Sequence, residues 1–275
     1  MNRKDLDPES SPAAAFGERL RRMRDERGWT QDELGERMGF SGTHISAVET
    51  GRRPPTLHFA ASADKACGTG ELFQRHSRSV RHTALLEGFP EYLAHEGKAA
   101  EIRLYEVGVV PGLLQIPEYA RVLAESDVKR GAITADQAEE RIALVAERQA
   151  TLDRAPAPLV LIVLDESCIR RPIGDAAIMD AQFKRLVEFA DLPNTVVQIA
   201  PFDMGARRPF SLPVTVLTLA DRSLVSYAES SQQGHLERES TFVLRTLTTY
   251  HQLQAEALSQ AASVAMIEQL RKGTP

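Results

Sequence analysis

The sequence predicts a chain of more than one domain, an all-α head of five short helices followed by an α/β body built on a mixed sheet. Three observations carry that division. Between Gln31 and Gly51, two segments of helical apolar spacing are separated by a glycine turn. Beyond residue 100, apolar runs of strand length such as Leu159 to Leu164 alternate with amphipathic helical stretches. Charge divides the same way. Residues 13–81 hold 12 Lys and Arg against 9 Asp and Glu, a balance of +3, whereas the rest of the chain holds 21 against 29, a balance of −8. Such a split suits a head that meets a polyanion and a body that phosphate would repel. The expected boundaries are a polar, disordered tail over 1–12, a head over 13–78 and a body over 79–275.

The head is justified element by element. "AAFGERLRRMRDERGWT" places Phe16, Leu20 and Met23 on one helical face, and Gly28 ends that helix with Trp29 folded back on it. Thr30 and Glu33 have the spacing of a capping box that opens a second helix, "QDELGERM", burying Leu34 and Met38. Gly35 allows a close neighbour, and Gly39 supplies the left-handed stop. Ser41 caps a third helix, "GTHISAVET", with an Ile45 and Val48 seam, and Gly51 stops it. A fourth helix turns Leu57, Phe59, Ala60 and Ala63 inward, and a short fifth is expected around Glu71 to Phe73.

These residues resemble the XRE family of helix-turn-helix regulators, which shares its lambda-repressor-like head with phage repressors. The likeness lies in "WTQDELGERMGFSGTHISAVETGRRPP" and covers the whole head. It implies double-stranded DNA as partner. Gln31 and Ser41 stand at helix N-termini, where backbone N–H groups and the dipole favour phosphate. The family's base-facing positions correspond to Gly42, Thr43 and Ala47, with His44 and Ser46 beside them; Arg52 and Arg53 would hold the backbone or a narrow minor groove, and Thr50 is a further DNA-binding candidate. No Arg, Gln or Asn stands at those base-facing positions, so bidentate base contacts are absent and much of the affinity should be electrostatic. Weak readers in one short helix imply a homodimer on two half-sites. Arg24 and Glu49 occupy positions that in such heads form a partly buried ion pair between the first and third helices.

In the body, Phe89, Tyr92 and Leu93, with Leu85 and Leu86 before them, make the connecting stretch amphipathic, so it should dock against the body. "EIRLYEVGVV" reads as a strand, Pro111-Gly112 as a turn, and a helix starts near Pro117. Thr134 caps a long helix with Ile142, Leu144, Val145 and Leu152 inward. Leu159 to Leu164 reads as a strand covered on both faces. A helix closed by Pro193, a strand "NTVVQIAPFD", two strands joined at Asp221-Arg222 and two closing helices from "HLERES" onward complete the order. "VPGLLQIPEYARVL", "ERIALVAERQATL" and "LVEFADLPNTVVQIAPFDMG" resemble the C-terminal domain of a group of actinomycete XRE regulators, the Scr1-type, antitoxin-like proteins related to WhiJ. That resemblance implies a small partner protein encoded by a neighbouring gene.

Chemistry in the body is read from its acids. Asp165, Glu166, Asp203 and Glu229 follow strand ends, where α/β folds keep their sites, so a metal-dependent nuclease is one alternative. The weightier expectation is that acids follow strands because loops are solvated and Asp favours turns, and Arg170, Arg171, Arg207 and Arg208 nearby would pair with them as easily as a metal would. A ligand sensor is another alternative, with the loops "PFDMGARRPF" and "YAESSQQGHLERE" as its walls. Nucleophile-elbow, phosphate-loop, dinucleotide and zinc-protease motifs are missing, so we expect no enzyme, no catalytic residue, no metal and no cofactor. His82, His95, His235 and His251 are scattered. Cys67 and Cys168, the two cysteines, have neither disulfide nor zinc spacing. The N-terminus lacks an apolar signal core and no run reaches membrane-span length, so the expected location is the cytoplasm, without a membrane partner.

Overall fold

The computed structural model describes residues 12–82, 88–230 and 233–273, which form two units divided between residues 86 and 87. The expected tail over 1–12 lies almost wholly outside the described residues, as do Leu85 and Leu86.

In the first unit, α1 (Pro12–Glu26) buries Phe16 and Leu20 completely, and Met23 is half-buried. α2 (Gln31–Met38) opens on a closed capping box: Glu33 N donates to Thr30 Oγ1 at 3.2 Å and Thr30 N donates to Glu33 Oε2 at 2.7 Å. It stops at Gly39, whose φ of +78° a side chain would strain. α3 (Gly42–Glu49) follows at once and buries Ile45 and Val48. α4 (Leu57–Cys67) turns Phe59, Ala60 and Ala63 inward, and the Leu57 side chain is not among those described.

α5 (Leu72–His82) corrects an expectation, because it runs for 11 residues and not for a single turn. Its cap comes from α4. The Asp64 carboxylate accepts Phe73 N at 2.9 Å, Gln74 N at 3.0 Å and the Thr69 hydroxyl at 2.6 Å. Burial disfavours the Asp64 charge, yet these donors hold its carboxyl below the usual value. A cap eight residues upstream leaves no local signature of a helix start.

In the second unit, α6 (Phe89–Glu96) precedes β1 (Ala99–Glu106). β1, β2 (Leu159–Asp165) and β3 (Thr195–Ala200) pair parallel. β4 (Val214–Leu219), β5 (Leu224–Glu229) and β6 (Gly234–Glu237) form an antiparallel meander on the other side of β1, giving the order β3-β2-β1-β4-β5-β6. The parallel pairs need crossovers, supplied by α7 (Pro117–Lys129) and α8 (Ala135–Ala150), then by α10 (Ala176–Ala190). The pleat sends Ile102, Leu104, Ile162 and Leu164 to one face, under Tyr92, Tyr119, Phe183 and Ile267. Tyr105 and Val163 go to the other, under Tyr250 and Leu253 of α11 (Ser240–Glu256). β2 is thus covered on both faces, as its unbroken apolar run requires. α12 (Gln260–Arg271) is capped by Ser259 Oγ, which accepts Ala262 N at 3.3 Å.

Two further expectations are corrected, and one short helix is added. Residues 234–237 are a strand, where the sequence reads as a loop running into a helix. Gly234, His235, Leu236 and Glu237 carry no strand signal of their own, and pairing with β5 decides their conformation. Ser167–Arg170 forms a short helix, α9, after β2. In α8, Ile142, Leu144 and Val145 are only half-buried and Leu152 lies beyond the helix end. There the inward positions are polar: Arg148 reaches the buried Glu96 with two bonds of 2.8 Å, and Gln149 Nε2 donates to Gly112 O at 2.7 Å.

Gly35 faces the chain that follows α2 so closely that an added Cβ would overlap the Phe40 carbonyl. Gly35→Ala should therefore lower head stability by about 1–3 kcal/mol despite the better helix propensity of alanine. A thermal melt by circular dichroism checks this, and a variant melting with the parent contradicts it.

Candidate nucleic-acid interface

The turn from α2 to α3 is three residues long, Gly39 to Ser41. Ser41 Oγ accepts His44 N at 3.2 Å and holds the first turn of α3. Gly42 sits against the start of α2, where an added Cβ would overlap the Asp32 carboxylate and reach Asp32 N at 3.2 Å. The N-termini of α2 and α3 are thus neighbours with the Asp32 carboxylate between them, and each has a side-chain cap, Thr30 on Glu33 N and Ser41 on His44 N. Gly42 serves close packing at this point.

The remaining expected contacts divide by exposure. Thr43 and Arg52 are exposed, whereas Ser46, Ala47, Thr50 and Arg53 are half-buried. Thr50 Oγ1 donates to Ser46 O at 2.7 Å and accepts Arg52 Nε at 2.9 Å, which steadies the arginine just beyond α3. His44 is placed differently. Its ring stacks on Phe59 at 5.2 Å and meets Phe40 edge-on at 4.8 Å, so it packs the base of α3 and does not stand beside the readers. The Gln31 side chain also turns inward, and its Nε2 donates to Glu49 Oε2 at 2.8 Å.

Glu49 is the centre of this arrangement. It is the last residue of α3 and has no exposed surface. Arg24 Nε donates to its Oε1 at 2.6 Å and Arg24 Nη2 to its Oε2 at 3.0 Å. Arg21 Nη2 donates to the Glu49 carbonyl at 3.1 Å. Arg24 is itself satisfied further by Trp29 O at 2.8 Å and Asp25 Oδ1 at 2.7 Å. The bonds to Glu49 raise the Arg24 pKa above its ordinary value. Sequence reading names Arg24 and Glu49 but misses Arg21, although the Arg21-x-x-Arg24 spacing puts both on one face of α1. Glu49→Ala strands a buried arginine and should cost about 3–5 kcal/mol. Chemical denaturation followed at Trp29 measures it, and an unchanged midpoint contradicts the account.

In the body, the acids are occupied by protein. Asp165 accepts Ser167 N at 3.0 Å, Arg208 Nη1 at 2.9 Å and the Ser167 hydroxyl. Glu166 accepts Phe202 N at 2.7 Å and Arg170 Nε at 2.9 Å. Together they staple residues 202–213 across the ends of β2 and β1. Asp203 is exposed and Glu229 accepts the Tyr227 hydroxyl at 2.8 Å. Among the described residues, no group of three or more His, Cys, Asp or Glu could hold a metal ion, which corrects the nuclease alternative for Asp165, Glu166, Asp203 and Glu229. Arg207 pairs with Glu256 and not with this set. The Cys168 thiol is buried, pushed up by that burial, and donates to Glu106 O at 3.3 Å. His95 is half-buried, His235 and His251 are exposed, and the side chain of His82 is not described.

Sequence reading misses a buried polar group at the same sheet edge. Arg148 and the Tyr92 hydroxyl share Glu96, Tyr92 stacks on Tyr227 at 4.3 Å, and burial pushes Glu106 up to about 7. Asp165 moves the other way. Burial disfavours its charge, but Ser167 and Arg208 outweigh that and hold its carboxyl below the usual value. Its contribution to stability is present above the unfolded carboxyl range, near pH ~4, and is lost as pH falls through the lower folded value. Asp165→Asn should therefore melt below the parent at neutral pH, with the gap closing below about pH 4. Melting curves across that range check the sign.

Among the described residues, no helix is long and apolar enough to cross a membrane. A helix-turn-helix domain model matches residues 15–73, and the model described as a domain of unknown function (DUF5753) matches residues 89–269. Over 56 residues the chain is 46% identical to the "Uncharacterized HTH-type transcriptional regulator y4dJ" of Sinorhizobium fredii, covering 20% of this chain and 73% of that protein. No solved structure matches the chain. With two thirds of its length in the DUF5753 match, behind a helix-turn-helix domain, the chain belongs to the DUF5753 family.

Proposed function

We propose that this chain, a helix-turn-helix DNA-binding transcriptional regulator, reads duplex DNA with α3 in the major groove and responds through its C-terminal domain to a small protein encoded beside it. The observation that carries the reading is the pairing of the α2 and α3 N-termini through Gly42, with Thr43 and Arg52 exposed at the two ends of α3. Phosphate sits at the joined N-termini, and Ser41 adds a hydroxyl there. Thr43 and Ala47 offer a hydroxyl and methyl groups to bases. Arg52 and Arg53 hold the backbone beyond the helix.

The proposed organisation is a DNA-binding domain over 13–78 and a partner-binding domain over 79–275, without catalysis, acting in the cytoplasm as an antitoxin-like XRE regulator. Two heads act together as a homodimer, since one α3 without an Arg, Gln or Asn reader gives little specific affinity alone. The resemblance of the C-terminal half to antitoxin-like regulators supports the protein partner.

Footprinting on the promoter of the chain's own gene tests the DNA reading, with two protected half-sites about one helical turn apart as the expected result. In mobility-shift titrations, Arg52→Ala should flatten the plot of log affinity against log salt by about 0.9 per head, and so by about 2 for a dimer. Thr43→Ala should leave that slope alone and relax preference among operator variants. A parent slope near zero contradicts the reading.

A further inference from the structure

Each helix N-terminus leaves its first N–H groups without an intrahelical acceptor. In α2 and α3 the caps take one of these each, Glu33 N on Thr30 Oγ1 and His44 N on Ser41 Oγ. Thr30 O and Ser41 O then accept Leu34 N and Ile45 N at 3.1 and 3.0 Å, the first bonds within each helix. Gln31 N and Asp32 N of α2, and Gly42 N and Thr43 N of α3, bond to no other described residue. The two positive dipole ends meet across Gly42, a setting in which phosphate binds.

That setting already contains an anion. Asp32 Oδ1 lies where a side chain at position 42 would begin, and Asp32 Cγ is 2.9 Å from that point. Asp32 is exposed, and its carboxylate bonds to no other described residue. Attraction to the dipole ends and the room left by Gly42 are what place it there. α2 does not need it as a cap, because Glu33 closes the capping box. One step about its first side-chain torsion would turn the carboxylate into water.

We infer that Asp32 is an internal competitor of the DNA backbone. It holds the place between the α2 and α3 N-termini in the free head, and a phosphate enters there only as the carboxylate swings out. The inference rests on the reading that these N-termini meet the duplex, and it names the residue that limits the strength of that contact. Its effect does not depend on sequence. A carboxylate that must be displaced weakens every duplex alike, so backbone affinity is held down and discrimination falls to the base contacts.

Asp32→Asn keeps the shape of the side chain and removes its charge. Glu36→Gln makes the same change of charge at an exposed position one turn further along α2. In mobility-shift titrations of the full chain at low salt, Asp32→Asn should tighten binding of operator and unrelated duplex alike, by about fivefold per head. Glu36→Gln should tighten it by less than about twofold, since the dipole effect fades within the first turn. Inorganic phosphate, titrated into the isotope-labelled full chain without DNA, should move the Gly42 and Thr43 amide signals of Asp32→Asn at concentrations that leave the parent's unmoved. Equal tightening by the two variants makes the effect one of net charge and overturns the inference. So does a parent whose Gly42 and Thr43 signals follow phosphate as the variant's do. Weaker binding by Asp32→Asn, with a lower melting temperature, makes the carboxylate a brace between the helices and overturns it too. Each of those results leaves the DNA reading standing, whereas a chain that binds no duplex, parent or variant, overturns that reading and the inference with it.

Discussion

A buried carboxylate governs the geometry of the head. Glu49 closes α3 without any contact with water, so its charge must be met within the protein. Two bonds from Arg24 bring α1 to it, one from Gln31 brings the first residue of α2, and its carbonyl takes Arg21. Three helices therefore converge on one residue, and the orientation of α3 relative to the N-terminus of α2 follows from hydrogen-bond directions as well as from packing. Apolar contacts between Ile45, Val48, Phe16 and Leu20 supply cohesion, but they tolerate small rotations that a bidentate guanidinium pair resists. That resistance to rotation is the larger consequence of the pair, since desolvation largely offsets its net energy.

The body uses buried charge in the same manner, at the sheet edge where its loops gather. Asp165 and Glu166 hold the 202–213 segment through Arg208, Phe202 N and, indirectly, Arg170. Glu96 ties α6 to α8 through Arg148 and Tyr92. Carboxylates at strand ends therefore do not by themselves mark a catalytic site. The test is whether their oxygens are already spent on protein donors, and those of Asp165 and Glu166 are.

Much of the architecture was legible in local pattern. The capping box at Thr30 and Glu33, the stop at Gly39, the Ser41 cap and the run from Leu159 to Leu164 each depend on residues within a few positions of one another. The features that escaped depend on distant partners. α5 is capped by Asp64 from the preceding helix, β6 exists because β5 is beside it, and α8 turns Arg148 inward because Glu96 waits there. His44 reads in sequence as a neighbour of the base-facing positions, and only the placing of Phe40 and Phe59 shows that its ring is taken by packing.

By itself, then, the sequence determined the order and type of the principal elements and the division into a helical head and an α/β body. Periodicity, caps and glycine stops act through the backbone within a turn or two and are written locally. Tertiary structure alone decided which polar groups are spent and which remain available, because a hydrogen bond between Asp165 and Arg208, or between Gln31 and Glu49, joins residues far apart in the chain. It also decided that α12 closes the β3 edge of the sheet, since an edge is defined by its neighbours in space.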